Sequence, residues 1–154
     1  MNSESDQKTK AYSGTFIGNA HYFALRVYVE DTDLGGVVYY ANYLRFLERA
    51  RSDMLHALGI RQRAALEAGV GVYAVAEVQI KYVRPARLED ELVIVSQLEA
   101  IRGASCVIQQ RVRRGAEAIA EATVTAVFLN AAGRPSRQPA EWVEKFQRVM
   151  EGGR

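Results

Sequence analysis

Cysteine is nearly missing from this chain: its 154 residues include one, Cys106, alongside only three prolines and two histidines. A single thiol cannot close an internal disulfide, so a packed core has to hold the fold, as suits a reducing compartment. His21 and His56 are far apart, and neither stands in a metal-type or triad-type motif. No metal centre and no cofactor are therefore expected. Gly-x-Ser-x-Gly is absent, which removes the nucleophile elbow of α/β-hydrolases. Gly69 and Gly71 lack the third glycine and the strand-to-helix context of a dinucleotide loop. Excess charge is also scarce. Twenty basic residues against 18 acidic ones leave a net charge of +2, too balanced to draw nucleic acid by bulk attraction. No apolar run is long enough for a transmembrane segment, and residues 1–20 lack the apolar core of a secretory signal, so a cytoplasmic location is expected.

What is present is an ordinary globular composition, 49% hydrophobic and 25% charged, at a length that fits one domain. Residues 1–20, rich in Ser, Asn, Lys, Gly and Thr, read as a flexible N-terminal tail, and residues 21–150 as a single domain. From Tyr22 to Val29 the residues Phe23, Leu25, Val27 and Val29 alternate with Tyr22, Ala24, Arg26 and Tyr28, the period of a half-buried strand. A helix is predicted from Ala41 to Leu58. Tyr43, Leu47, Ala50, Met54 and Leu58 recur at helical spacing, and Gly59 follows as a stop. Leu44, Phe46, Leu55 and Ala57 widen that stripe, so the helix needs wrapping.

The wrapping follows. After a short helical stretch from Arg61 to Ala68, strand patterns cover Val72–Val83, Glu91–Ile101, Ala104–Arg113 and Glu117–Leu129. Arg102-Gly103 and Arg114-Gly115-Ala116 make the hairpin joints between the last three. Trp142, Val143, Phe146, Val149 and Met150 form a closing amphipathic helix. This order predicts an α+β fold, a five-stranded antiparallel sheet wrapped around one long central helix. On that helix, Glu48 with Arg51 and Arg49 with Asp53 stand at ion-pair spacing. Both histidines are expected at surface or partly buried structural positions, and Cys106 as a buried, inert thiol.

Between the first strand and the helix lies Glu30-Asp-Thr-Asp-Leu-Gly-Gly-Val-Val-Tyr-Tyr-Ala-Asn-Tyr43. Asp and Gly adopt the backbone angles that tight turns need, so locally Asp33 reads first as a turn former, and Asp31 and Thr32 as local hydrogen-bonding residues. The turn also delivers a carboxylate to a helix start, where backbone N–H groups lack intrahelical partners and can hold an anion or a developing oxyanion. Asn42 reads either as the helix N-cap or as a pocket residue, the cap being the ordinary backbone role.

Asp31-Thr32-Asp33, Gly35 through Tyr39, Ala41-Asn42-Tyr43, Glu48-Arg49-Ala50-Arg51 and the run Tyr82 to Asp90 together resemble the signature of YbgC-type acyl-CoA thioesterases. These belong to the hotdog-fold group that includes 4-hydroxybenzoyl-CoA thioesterase. The resemblance implies a hotdog fold, an acyl-CoA or acyl-carrier-protein thioester as substrate, and a homodimer or homotetramer with sites between subunits. It implies Asp33 as general base or nucleophile, the backbone N–H of Tyr40 as oxyanion donor, and Gly36, Val37 and Asn42 beside the substrate. Relatives commonly carry His where this chain has Tyr40, so the contribution implied there is the backbone N–H. Two rivals stand beside this expectation. A hotdog dehydratase or hydratase needs a His working with the acid, and a non-enzymatic acyl-carrier or envelope-machinery binding module needs neither.

Overall fold

In the computed structural model, which describes residues 3–152, the long helix α2 (Asn42–Ala57) buries Tyr43, Phe46, Leu47, Ala50, Met54 and Leu55 against a curved antiparallel sheet. The strands are β1 (Thr15–Ile17), β2 (Ala20–Arg26), β3 (Val72–Tyr82), β4 (Glu91–Ile101), β5 (Ser105–Arg114) and β6 (Glu117–Leu129). Their order across the sheet is β1-β2-β4-β5-β6-β3. Three short helices complete the chain: α1 (Glu4–Lys8), α3 (Gln62–Glu67) and α4 (Ala140–Met150).

The hairpins β4-β5 and β5-β6 fall at the predicted joints, since the Gly103 and Gly115 turns separate runs that alternate apolar and polar residues. The chain from β2 crosses through α2 before β3, which leaves β3 at one edge, paired only with β6, with Val72, Val75 and Tyr82 each at least 40% exposed.

The sheet has six strands where five were expected. The sixth comes from the segment read as a tail: Thr15, Phe16 and Ile17 pair with Tyr22, His21 and Ala20. Tyr12 sets its ring edge-on to Phe23, and the Gly14 N–H donates to Asp53 Oδ2 at 2.8 Å, which ties this arm to α2. A Cβ at Gly14 would stand 2.3 Å from the Tyr22 carbonyl oxygen, so only glycine fits that approach. Helix α1 has no buried residue, and Met1 and Asn2 lie outside the described residues.

Beneath α2 the core divides in two. One apolar cluster gathers Phe23, Tyr43, Phe46, Leu47, Leu92, Ile94 and Val112 under the first half of the helix. The other gathers Leu55, Leu98, Ile108, Ala126 and Phe146 under the second half. A polar seam runs between them, because His21, Ser96 and Gln110 are cross-strand neighbours on β2, β4 and β5 and all are fully buried. His21 is therefore a core residue rather than a surface or partly buried one. Its Nε2 lies 2.8 Å from Asp53 Oδ2, while its Nδ1 is buried without a hydrogen-bond partner. His56 is exposed.

The expected helix ion pairs do not form. Asp53 is taken by His21 and Gly14, and Arg51 donates from Nη1 to Gln110 Oε1 at 3.0 Å. The spacing allowed both pairs, but residues 51 and 53 face inward, where the sheet offers competing partners.

Candidate active site

The turn after the 3-10 turn Val29–Asp31 is a miniature hairpin. Thr32 bridges Val38, the Asp33 N–H donates to the Val37 carbonyl at 2.9 Å, and the Gly36 N–H donates back to the Asp33 carbonyl at 3.1 Å. Gly36 sits at φ +75°, the left-handed region that glycine enters without strain. The Gly35 N–H holds Asp33 Oδ1 at 2.8 Å. Oδ2 has no hydrogen-bond partner among the described residues, and the side chain is exposed.

A second segment clamps this hairpin from behind. The Val38 N–H donates to the Ala86 carbonyl at 2.8 Å, the Leu88 N–H donates to the Gly36 carbonyl, and Val37 bridges Arg87. Asp90 shapes that segment by accepting from the Arg87 N–H at 2.8 Å and from Arg114 Nη1 at 2.7 Å.

The start of α2 hangs on one carbonyl. Asp31 O accepts both the Tyr39 N–H at 2.9 Å and Asn42 Nδ2 at 2.8 Å, while the Asp31 carboxylate accepts the Tyr28 N–H at 2.9 Å. Asn42 is thus the first helical residue and its amide nitrogen is committed to Asp31. The cap position belongs to Ala41, which makes no side-chain cap, so the N-cap reading of Asn42 does not hold. The helix begins one residue earlier than a cap at residue 42 would require, with Ala41 already at right-handed helical angles. The backbone N–H groups of Tyr40 and Ala41 meet no acceptor among the described residues.

Tyr40 is 62% exposed, and its carbonyl accepts the Tyr82 hydroxyl at 3.1 Å. The Tyr40 ring leans on Tyr39 with centroids 5.0 Å apart and stands edge-on to Tyr82 at 6.2 Å. Val38, Tyr40, Tyr43, Tyr82, Val83 and Pro85 line a shallow, open hollow of about 290 Å³. Asp33, Gly36, Val37, Tyr40 and Asn42 therefore share one loop-to-helix junction, with Asp33 and Tyr40 flanking the Thr32–Val38 bridge and no hydrogen bond between them. Reading the sequence for roles missed Tyr82 at this site, since a partner 42 residues away leaves no local signal.

A separate hollow of about 370 Å³ opens under the second half of α2, with Arg51, Ser52, Leu55, Tyr73, Ile108 and Phe146 in its walls. It touches none of the five junction residues. Its walls carry Cys106, whose buried thiol donates to Gln138 Oε1 at 2.9 Å and is pushed up to about 11 by burial, so it is a poor nucleophile.

A carboxylate with one free oxygen, on the same loop-to-helix junction as helix-start N–H groups that meet no acceptor among the described residues, offers the group types that acyl transfer uses, and residues 27–150 match the model of the thioesterase-like superfamily. The chain belongs to that superfamily, as a YbgC-type thioesterase. It is 39% identical over 108 residues to the acyl-CoA thioesterase YbgC of Haemophilus influenzae, covering 70% of this chain and 79% of that one. It is 44% identical over 88 residues to the acyl-CoA thioester hydrolase YbgC of Escherichia coli O157:H7, covering 57% and 65%. Among solved structures, a probable thioesterase from Bartonella henselae superposes with a TM-score of 0.74 at 35% identity, over 78% of this chain and 99% of that chain. A CoA complex of SAV2348 from Staphylococcus aureus superposes with a TM-score of 0.82 at 12% identity, over 92% and 90%, a likeness of fold alone.

The superfamily's thioesterase neighbours share the antiparallel sheet packed on a central helix, so the hotdog architecture holds with one strand more than expected. Among the described residues no cluster of His, Cys, Asp and Glu could hold a metal ion, and no helix is long and apolar enough to cross a membrane.

Proposed function

We propose that the protein hydrolyses acyl-CoA or acyl-carrier-protein thioesters at the junction of the Asp33 turn and α2. The observation that carries this is that one loop-to-helix junction holds both a Tyr40 N–H that meets no acceptor among the described residues and an exposed Asp33 carboxylate with one free oxygen. The thioester carbonyl oxygen accepts from the Tyr40 N–H, which stabilises the charge that builds up there. Removing one such donor typically costs about 100- to 1000-fold in rate. Asp33 either takes a proton from the attacking water or attacks the carbonyl carbon to form an anhydride that water then opens. In both routes the C–S bond breaks, the thiol leaves with a proton and the acyl group leaves as a carboxylic acid. Gly36 and Val37 line the approach, and Asn42 acts by holding the helix start on Asp31. The dehydratase alternative asks for a His near Asp33, but His21 is engaged with Asp53 inside the core.

The same reading extends to a homo-oligomer. An apolar edge strand of 11 residues invites pairing, and β3 is such an edge. A two-fold axis near the middle of β3 would pair it antiparallel with its copy, the self-complementary arrangement usual for dimers. The Tyr82 end of one β3 then lies beside the Tyr73 end of the other. That brings the Tyr40 junction of one protomer next to the hollow under α2 of its partner, and a thioester held at the junction can send its acyl chain into that hollow.

Release of free thiol from a panel of short, medium, long and aromatic acyl-CoAs and acylated carrier protein, without added metal or nucleotide, tests the reading. Turnover of at least one class is expected. No release from any of them would refute it.

A further inference from the structure

We propose that Arg51 recognises a carboxylate at the far end of the acyl group, so that ω-carboxyacyl thioesters are the substrates turned over best. This rests on the hydrolase reading and names its substrate class. The hollow under α2 is lined by Met54, Leu55, Leu98, Ile108 and Phe146, surroundings that suit methylene groups, and Arg51 stands in its wall as a cation.

Arg51 is only partly accessible, and burial presses its guanidinium below the ordinary arginine value. Among the described residues no carboxylate lies within ion-pair distance of it, and its one hydrogen bond runs from Nη1 to a neutral acceptor, Gln110 Oε1, at 3.0 Å. Most of its donors are left for a ligand. Two carboxylates are near in sequence. Asp53 is turned to His21 and the Gly14 N–H. Glu48, exposed at the rim of the same hollow, favours the Arg51 cation through its charge but makes no hydrogen bond or ion pair with it among the described residues.

Arg51 is also aimed. Gln110 is fully buried and spends both amide hydrogens, one on the Leu47 carbonyl at 3.0 Å and one on Ser96 Oγ at 3.0 Å. Its amide therefore cannot turn over, and its oxygen stays pointed at the guanidinium. A buried polar seam through an apolar core is costly unless its groups are satisfied, and the seam's outlet is the side chain that faces the hollow. A methyl-ended chain fills the apolar walls but leaves the guanidinium without a carboxylate in direct contact, since Glu48 acts on it only at a distance. A carboxylate-ended chain satisfies both, through the charge-assisted and frequently bidentate pairing that guanidinium and carboxylate favour.

The test compares kcat/KM for adipoyl-, suberoyl- and sebacoyl-CoA with hexanoyl-, octanoyl- and decanoyl-CoA, in the wild type and in Arg51→Gln. At the best-fitting length the wild type is expected to favour the carboxyacyl substrate at least tenfold, and Arg51→Gln to bring that ratio to one or below. A circular-dichroism melt checks the fold of the variant, and the wild-type ratios stand without it. A wild-type ratio of one or less at every length overturns the proposal, as does a ratio that survives in a folded Arg51→Gln. Failure of both series in an enzyme that hydrolyses other acyl-CoAs overturns it too. Failure with every thioester instead overturns the hydrolase reading on which it rests.

Discussion

Asp33 serves the turn and the proposed chemistry with different atoms. Its Oδ1 accepts the Gly35 N–H and its backbone closes the hairpin to Val37 and Gly36, whereas Oδ2 is free. Asn supplies an oxygen in the Oδ1 position but neither the basicity to activate water nor the charge to attack a carbonyl. Asp33→Asn is therefore expected to melt like the wild type and to lose more than 90% of kcat, a barrier increase of at least about 1.4 kcal/mol, with KM little raised. Asp31→Ala should do the reverse. It removes the acceptor for the Tyr28 N–H and is expected to lower stability by about 1 kcal/mol, read by denaturant midpoint, more than it lowers kcat. If Asp33→Asn keeps over a tenth of kcat, the base or nucleophile lies elsewhere.

At the level of strands and helices, the contact that closes the sheet onto α2 on the β1 side is His21 with Asp53, completed by the Gly14 N–H from the N-terminal arm. Burial lowers the His21 proton affinity more than the hydrogen bond and charge of Asp53 raise it. The unfolded chain thus binds this proton more tightly than the fold does. The stabilisation from a neutral His21 is complete above the ordinary histidine value of about 6.5 and is lost as pH falls through the lower folded value. Thermal melts between pH 7.5 and pH 5 should show the wild type losing more of its Tm than His21→Gln, which keeps a polar side chain at residue 21 but no titrating group. Equal losses would mean that other groups carry the acid sensitivity.

For the whole molecule, the exposed edge of β3 and the separation of the junction from the hollow under α2 have one remedy in common. In the proposed dimer, pairing two β3 strands would cover the edge and join the parts of the proposed site. Light scattering at micromolar concentration should therefore report at least twice the 17.1 kDa chain mass. Breaking the edge with Val75→Lys is expected to shift the mass toward one chain and to reduce kcat/KM with it. A wild-type monomer with full turnover would refute the composite site.

Local chemistry determined much of this protein. Alternation at two- and four-residue periods, with Gly59, Gly103 and Gly115 as punctuation, was enough to place α2 and the strands β3 to β6, because those signals reside in neighbouring residues. The Asp33-Leu34-Gly35-Gly36 turn was legible for the same reason. Tertiary structure decided what depends on partners distant in the chain. The arm at Thr15–Ile17 is too short to announce a strand and becomes one only against β2. Asn42 became the first residue of the helix, its amide nitrogen on a carbonyl 11 residues back, and Tyr82 reached Tyr40 across 42 residues. Arg51 and Asp53 exchanged expected helix neighbours for Gln110 and His21, which lie 59 and 32 residues away. Helical spacing states which groups can meet along one element, whereas the sheet facing that helix settles which of them do, because a buried charge or amide takes whichever partner spares it desolvation.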